Sequence, residues 1–224
     1  MTLSPPGPRP VHGTTFAAVL FDMDGTLIDS TPSVVRSWVR LAEENGISVT
    51  DLQAAAGHGR PAREIVADLF AEPARPDALA RITELEIADV QDVVALPGAT
   101  EALLGSGPAG AIVTSCAAGL AVARQQAGGI PVPQVVVTAD DVQRGKPDPE
   151  PFLLAARLLG VDPALCLVVE DAPAGLTAGR AAGMTTLAVT TTHTAEQLDA
   201  DHVVADLSAV GMSRTAEGVV VTLV

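Results

Sequence analysis

The fold is decided by a stretch near the N-terminus that reads FAAVLFDMDGT over residues 16–26. Its six leading apolar residues are typical of a strand that is buried on both faces. Asp22 and Asp24 follow, and two carboxylates two residues apart point to the same side of an extended chain. Charges this close repel each other, so a divalent cation would stabilise the pair. The alternative is a plain Asp-Gly turn after a buried strand.

Further apolar runs follow this stretch, and longer helix-like segments separate them. The alternation predicts an α/β fold of the Rossmann-like type, with a parallel sheet and helices on both faces. The predicted strands cover 16–21, 111–113, 134–138, 166–169, 186–189 and, more weakly, 202–205. The apolar run at residues 218–224 predicts an edge strand. Ligands of such sheets bind beyond the carboxyl ends of the strands.

The segment 30–96 interrupts the alternation, because it contains no clear strand. Apolar spacing predicts helices over 33–45, 62–70 and 77–90. We therefore expect a helical domain over 30–96, inserted into a core domain made of 15–29 and 97–224. Residues 1–14 are rich in proline and predict a disordered tail.

Composition excludes several classes of function. The formal net charge of -14, from 13 Lys+Arg against 27 Asp+Glu, disfavours binding to nucleic acid or to an anionic membrane. Aromatic residues make up 2%, so base-stacking surfaces are not expected. Cys116 and Cys166 cannot build a zinc module or a disulfide framework, and two free thiols are expected. We expect a cytoplasmic protein, without a membrane span, that is a monomer or a small homo-oligomer.

Polar residues also follow the other predicted strands. Thr114 and Ser115 end the strand 111–113, Glu170 and Asp171 end the strand 166–169, and Lys146 lies in the loop GKPDPE over 145–150. Taken singly, these are also typical of a helix cap, of helix-entry charges and of a surface loop. Because the strand ends converge, we interpret them together with the first two aspartates as one site. Its carboxylates, hydroxyls and ammonium suit Mg²⁺ and a phosphoryl group.

Four motifs together are similar to those of a known family: DMDGT at 22–26, VTS at 113–115, GKPDPEPF at 145–152 and VVEDAPAGL at 168–176. In this order they resemble the haloacid dehalogenase superfamily, over about residues 15–210. The helical segment resembles the cap of the beta-phosphoglucomutase-like branch, and the last two motifs resemble sugar phosphatases and glycerol-3-phosphate phosphatases. The resemblance implies a Mg²⁺-dependent phosphatase of small sugar or polyol phosphates that works through an aspartyl phosphate.

The resemblance also implies a role for each site residue. Asp22 would be the nucleophile, and Asp24 the general acid and base. The implied metal ligands are Asp22, the backbone carbonyl of Asp24, Asp171, and Glu170 either directly or through water. The implied phosphate-binding residues are Thr114, Ser115 and Lys146. Since phosphoryl transfer depends mostly on positioning and charge neutralisation, this small set is sufficient.

The loop Gly57-His58-Gly59-Arg60-Pro61-Ala62 lies inside the predicted cap. It matches the dinucleotide pattern G-x-G-x-x-A, but the residues before it predict a helix rather than a strand, so we reject that interpretation. The loop resembles the substrate-facing loop of sugar and polyol phosphatases. We expect His58 and Arg60 to contact the substrate; an exposed turn between helices is the alternative.

Other functions stay open at this point. A phosphosugar mutase uses the same aspartyl phosphate, although Thr26 stands where mutases of this family have an aliphatic residue. A dehalogenase needs the carboxylate nucleophile but neither the second acid nor a metal. A non-catalytic interaction module on the same fold is a third alternative, disfavoured because it would have no reason to keep so many like charges together.

Overall fold

The computed structural model describes residues 9–55 and 61–224. Within them, strands and helices alternate as the apolar runs predict. The strands are β1 (Thr14–Phe16), β2 (Ala18–Phe21), β3 (Ile28–Asp29), β4 (Val94–Ala95), β5 (Gly110–Val113), β6 (Val135–Val137), β7 (Cys166–Glu170), β8 (Thr185–Val189), β9 (His202–Val204), β10 (Val210–Arg214) and β11 (Val219–Leu223). The helices are α1 (Thr31–Glu44), α2 (Val49–Ala55), α3 (Ala62–Leu69), α4 (Arg75–Ala88), α5 (Ala99–Ser106), α6 (Ala118–Gly128), α7 (Glu150–Leu159) and α8 (Pro173–Ala181).

Six strands form a parallel sheet in the order β6-β5-β2-β7-β8-β9. Alternate residues of β2 point to opposite faces. Val19 and Phe21 pack in one apolar cluster with residues of α5 and α6, whereas Ala18 and Leu20 pack in another with residues of α7 and α8. Helices therefore cover both faces, which explains why the strand is apolar throughout. The predicted α/β fold is confirmed.

The connections of the sheet place the end of β2 at a crossover point. From β2 the chain moves to β5 and β6 on one side, and then returns to β7, β8 and β9 on the other side. Phe21, the last residue of β2, is paired with Ile112 of β5 and with Val169 of β7. In such sheets the crevice for a ligand opens where the strand order reverses. The residues after β2, β5 and β7 therefore face a common crevice.

A second sheet corrects two predictions. It is antiparallel, in the order β1-β11-β10. β11 is its middle strand and not an edge strand, because β1 pairs on one side through Phe16↔Val219 and β10 on the other through Met212↔Val221. The predicted strand 16–21 is in fact two strands, which belong to different sheets and separate at Ala17.

The prediction of a disordered tail over 1–14 is wrong for residues 9–14. Arg9 donates hydrogen bonds to Asp201 and to the Gly183 carbonyl. Val11 is buried, and Thr14 begins β1. This segment is ordered because β1 pairs with β11, whose backbone N–H and C=O groups on that side would otherwise be unpaired.

Helices α1 to α4 fill the segment between β3 and β4. They have an apolar core of their own, whose buried members include Trp38, Leu41, Val66 and Ile82. The expectation of no strand in this segment is wrong at its end, where Val94 and Ala95 form β4 and pair antiparallel with β3. The segments that enter and leave the helical segment, β3 and β4, are therefore paired in a two-stranded antiparallel sheet. The division into cap and core domains stays a prediction.

Two smaller expectations concern the cysteines and membrane-spanning helices. Cys116 and Cys166 are both free thiols, as expected. In residues 9–55 and 61–224, every helix is too short or too polar to cross a membrane.

Candidate active site

The turn after β2 places the first two carboxylates of the site. The Asp22 N–H donates to the Val169 carbonyl of β7 at 2.9 Å, which continues the sheet by one residue. Gly25 then has a φ of 87°, a left-handed conformation that favours glycine. A Cβ there would also overlap the Asp171 carboxylate. Glycine is therefore required both by the turn and by the close approach of the β7 end.

Lys146 is the cation of the site. Its side chain is 5% exposed, and its Nζ lies 2.5 Å from Asp22 Oδ1 and 2.8 Å from Glu170 Oε1. Nζ also donates to the Val113 carbonyl at the end of β5, at 2.8 Å. Burial acts to lower the pKa of Lys146, but the two carboxylates outweigh it and hold the pKa above its ordinary value. The ammonium is thus charged and links the ends of β2, β5 and β7.

Three buried carboxylates surround that ammonium. Each of Asp22, Glu170 and Asp171 offers an oxygen, and these oxygens lie within 4.8 Å of one another. Burial raises the pKa of Asp22 well above its ordinary value, against the effect of Lys146. Burial, and then the Glu170 charge, raises the pKa of Asp171 to about 7. One ammonium does not offset three carboxylates, so the cluster has the charge and the oxygen donors that a divalent cation requires.

Glu170 is oriented by the entry to α8. Its Oε2 accepts hydrogen bonds from the backbone N–H groups of Asp171 at 3.0 Å and Ala172 at 2.9 Å. Its Oε1 accepts from Lys146. Both oxygens are therefore occupied, which fixes the carboxylate in a single orientation.

Asp171 is held by residues that sequence reasoning did not place in the site. The hydroxyl of Thr26 donates to its Oδ1 at 3.2 Å, and the hydroxyl of Thr192 donates to its Oδ2. The His193 ring Nδ1 lies 3.0 Å from the Asp171 backbone oxygen. Thr192 and His193 belong to the loop after β8, which lies beside β7 in the sheet. The run of threonines at 190–192 was a signal for this contact, since it follows a strand end like the other site residues.

Asp24 lies in a different environment from Asp22. Its Oδ1 accepts from the Ser30 hydroxyl at 2.6 Å and lies 3.0 Å from Arg124 Nη1. Its Oδ2 accepts from the Cys116 thiol at 3.1 Å. The Asp24 side chain does not belong to the three-carboxylate cluster found among the described residues. The two aspartates of the first motif are therefore divided: Asp22 belongs to the carboxylate cluster at Lys146, and Asp24 belongs to a separate network with Ser30, Cys116 and Arg124.

Comparison with known proteins identifies the family. Residues 16–183 match the family of haloacid dehalogenase-like hydrolases. The chain belongs to that family. Hexitol phosphatase A of Escherichia coli is 43% identical over 176 residues, which are 76% of this chain and 81% of the relative. Validoxylamine A 7'-phosphate phosphatase of Streptomyces hygroscopicus is 36% identical over 204 residues, 87% of this chain and 96% of the relative.

A solved structure supports the fold. The crystal structure of a beta-phosphoglucomutase from Clostridium difficile matches with a TM-score of 0.73 at 22% identity, over 86% of this chain and 92% of that chain. At this identity the likeness concerns the fold alone. The family and its named phosphatase relatives confirm the predicted enzyme class, a phosphomonoesterase of the haloacid dehalogenase type.

The predicted phosphate-binding hydroxyls and the predicted cap-loop residues remain to be placed. Thr114 is buried and directly follows Val113, whose carbonyl binds Lys146, so it lies at the site. Ser115 is exposed. His58 and Arg60 lie outside the described residues, so the predicted contact of the cap loop with a substrate stays a prediction.

Proposed function

We propose that this member of the haloacid dehalogenase-like family is a Mg²⁺-dependent phosphatase of small sugar or polyol phosphates that works through an aspartyl phosphate. The observation that carries the proposal is the buried contact of Lys146 with both Asp22 and Glu170, next to Asp171. Lys146 favours the ionised form of Asp22 against the effect of burial, and a metal ion would balance the charge of the remaining carboxylates.

The donor set fits Mg²⁺. All the available donors are oxygens, and Mg²⁺ binds proteins through one or two carboxylates and keeps other positions for water and substrate phosphate. Asp22, Asp171 and the Asp24 backbone carbonyl would hold the ion, with Glu170 directly or through water. When bound, Mg²⁺ neutralises charge on the phosphoryl oxygens and on the cluster. Thr114, Ser115 and Lys146 would bind the phosphoryl oxygens from the other side.

Asp22 and Asp24 then carry out two successive transfers of the phosphoryl group. In the first, an Asp22 carboxylate oxygen forms a bond to phosphorus while the bond from phosphorus to the sugar oxygen breaks, and Asp24 gives its proton to that oxygen. In the second, water attacks phosphorus, Asp24 takes a proton from the water, and the bond from phosphorus to Asp22 breaks. Inorganic phosphate leaves, and both aspartates return to their starting forms.

The substrate class rests on the relatives and on the helical segment. A hexitol phosphatase and a validoxylamine phosphate phosphatase both have names that specify phosphate esters of small polyhydroxylated molecules. We propose that α1 to α4 form a cap that closes over a substrate of this size, with His58 and Arg60 facing its hydroxyls. A phosphate on a large polymer would not fit beneath such a cap.

A phosphate-release screen tests the proposal. The protein is incubated with Mg²⁺ and a panel of hexitol, hexose, glycerol and nucleotide monophosphates, and the substrates are ranked by kcat/KM. We expect steady release from sugar or polyol phosphates, loss of release with a chelator, and loss in Asp22→Asn. No release from the whole panel would overturn the proposal and favour a non-catalytic module. With β-glucose 1-phosphate and a bisphosphate primer, accumulation of glucose 6-phosphate instead of phosphate would favour a mutase.

A further inference from the structure

A second buried cation lies beside the site. Arg124, on α6, is 4% exposed, and its Nη1 lies 3.0 Å from Asp24 Oδ1. The same Nη1 donates to Cys116 Sγ at 3.0 Å. On its other side, Nη2 lies 3.4 Å from Oε1 of Glu86 on α4, which is 6% exposed. The half-buried Asp24 and the buried Arg124 and Glu86 therefore form a row of three charges that runs from the strand end to the helical segment.

A purely structural role does not account for this row. Among the described residues Arg124 Nε has no hydrogen-bond partner, and the only contact of Nη2 is the long ion pair with Glu86, which is not a well-formed hydrogen bond. Burying a guanidinium with unsatisfied donors destabilises a fold, and apolar residues of similar volume often serve stability better. The arrangement therefore favours a role for the charge itself.

The contacts distinguish the two oxygens of Asp24. Oδ1 accepts a hydrogen bond from the Ser30 hydroxyl and forms an ion pair with Arg124, so two strong contacts occupy it. Oδ2 has the thiol of Cys116, which is a weak donor. The hydrogen bond and the ion pair on Oδ1 fix the carboxylate plane, while Oδ2 can exchange its weak partner for a leaving oxygen or a water.

We propose that Arg124 is a positioning residue for Asp24. It holds Oδ1, and Oδ2 is thereby the atom that carries the proton to the leaving oxygen and later takes one from water. Glu86 orients Arg124 from the opposite side. The inference rests on the proposed function, because it assigns Asp24 the acid and base role.

A double-mutant cycle tests this role. Arg124→Met is combined with Glu86→Gln, so that no unpaired carboxylate is left buried, and the pair is placed in the wild-type and Asp24→Asn backgrounds. We expect the pair to lower kcat about 100-fold with KM within about threefold of wild type, since a small misplacement of a catalytic group has this effect. In the Asp24→Asn background it should lower kcat by less than about twofold, because residues that act as a unit are not additive.

Two further variants control the cycle. Arg124→Lys keeps the charge but loses the planar fork, and should recover part of the lost kcat. Arg36→Met removes a guanidinium that pairs with Asp89 and Asp92 on the exposed side of α1, and should leave kcat and KM unchanged. Melting temperatures of all variants separate a loss of fold from a loss of positioning.

The outcomes are distinct. The inference is overturned if the Arg124→Met/Glu86→Gln protein keeps wild-type kcat, or if its loss is equally large in the Asp24→Asn background. A wild-type protein that releases no phosphate contradicts the proposed function instead. In that case a crystal structure of the pair decides the positioning: Asp24 should leave Ser30 and Cys116, and an unmoved carboxylate overturns the inference.

Discussion

The carboxylate of Glu170 lies directly against Gly175, the third residue of α8. A Cβ at Gly175 would overlap the Cγ, Cδ and Oε1 atoms of Glu170. The carboxylate cannot swing aside without losing Lys146 and two backbone N–H donors. The first turn of α8 therefore packs directly against the end of β7. Because Gly175 has no side chain, the Glu170 carboxylate can occupy the space beside it.

Replacing this glycine should damage the site through Glu170. We expect Gly175→Ala to lower kcat at least tenfold and to lower the melting temperature, because the added methyl group displaces a buried, fully bonded carboxylate. Gly119→Ala is the matched control, since its Cβ would meet only the Ile87 Cδ1 atom within 4 Å, at an ordinary 3.5 Å. Equal activity of the two variants would contradict this prediction. Phosphate release and thermal unfolding measure both effects.

Removing the buried ammonium should affect both activity and stability. Lys146→Met leaves Asp22 and Glu170 buried without their cation, and breaking a buried ion pair in this way costs about 3–5 kcal/mol. We expect the free energy of unfolding, measured in urea without Mg²⁺, to fall by about that amount, together with loss of phosphate release. Arg81→Met, which breaks a solvent-exposed pair with Glu44, should change neither quantity appreciably. Wild-type stability in Lys146→Met would contradict the assignment of a linking cation.

The raised pKa of Asp171 predicts a pH dependence of stability without metal. Because burial and Glu170 raise its folded-state pKa to about 7, the folded protein binds this proton more tightly than the unfolded chain does. Its contribution to stability is present below the unfolded pKa of about 4 and is lost as the pH rises to about 7. We therefore expect the metal-free melting temperature to fall, across this window, more in the wild type than in Asp171→Asn. A parallel pH profile for the two proteins would contradict the shift.

Metal binding should reverse that trend. Mg²⁺ binds the ionised carboxylates, so adding it should raise the melting temperature more at pH 8 than at pH 5. Asp171→Asn should lose most of this stabilisation. A metal effect that is independent of pH and of Asp171 would place the ion elsewhere.

The hydroxyl of Thr192 should contribute to metal affinity. It donates to the carboxylate of Asp171, and loss of such a partner of a metal ligand typically weakens metal binding 10–100-fold. We expect Thr192→Val to raise the Mg²⁺ concentration for half-maximal activity about tenfold or more, with kcat at saturating Mg²⁺ closer to wild type. Thr222→Val, on an exposed position of β11, is the control and should leave the Mg²⁺ dependence unchanged. An unchanged Mg²⁺ dependence in Thr192→Val would show that this bond does not support the metal ligand.

Local pattern predicted most of the sheet and the main site. Each parallel strand is a short apolar run that is buried on both faces, so its position can be recognised without knowing its neighbours. The main site residues could be grouped beforehand because parallel strands bring their carboxyl ends to one edge. Asp22, Glu170 and Asp171 stand at strand ends, and Lys146 lies in the loop before α7. The antiparallel β1-β11-β10 sheet was predicted less well, since pairing between distant segments leaves no local signal of which strand is central.

The sequence by itself determined the strands of the parallel sheet, the helical segment and the acidic cluster with its lysine. These follow from hydrophobic periodicity and from the placement of polar residues in the segments after the strands. Only the tertiary structure decided the partners of Asp24 and Asp171. Arg124 and Glu86 lie within helices α6 and α4, and nothing in their local sequence distinguishes them from surface residues. Thr192 follows a strand end, but only the fold shows that β8 lies beside β7. Packing of α6 against α4, and of the β8 loop against β7, buries them beside the carboxylates, and burial gives these contacts their strength.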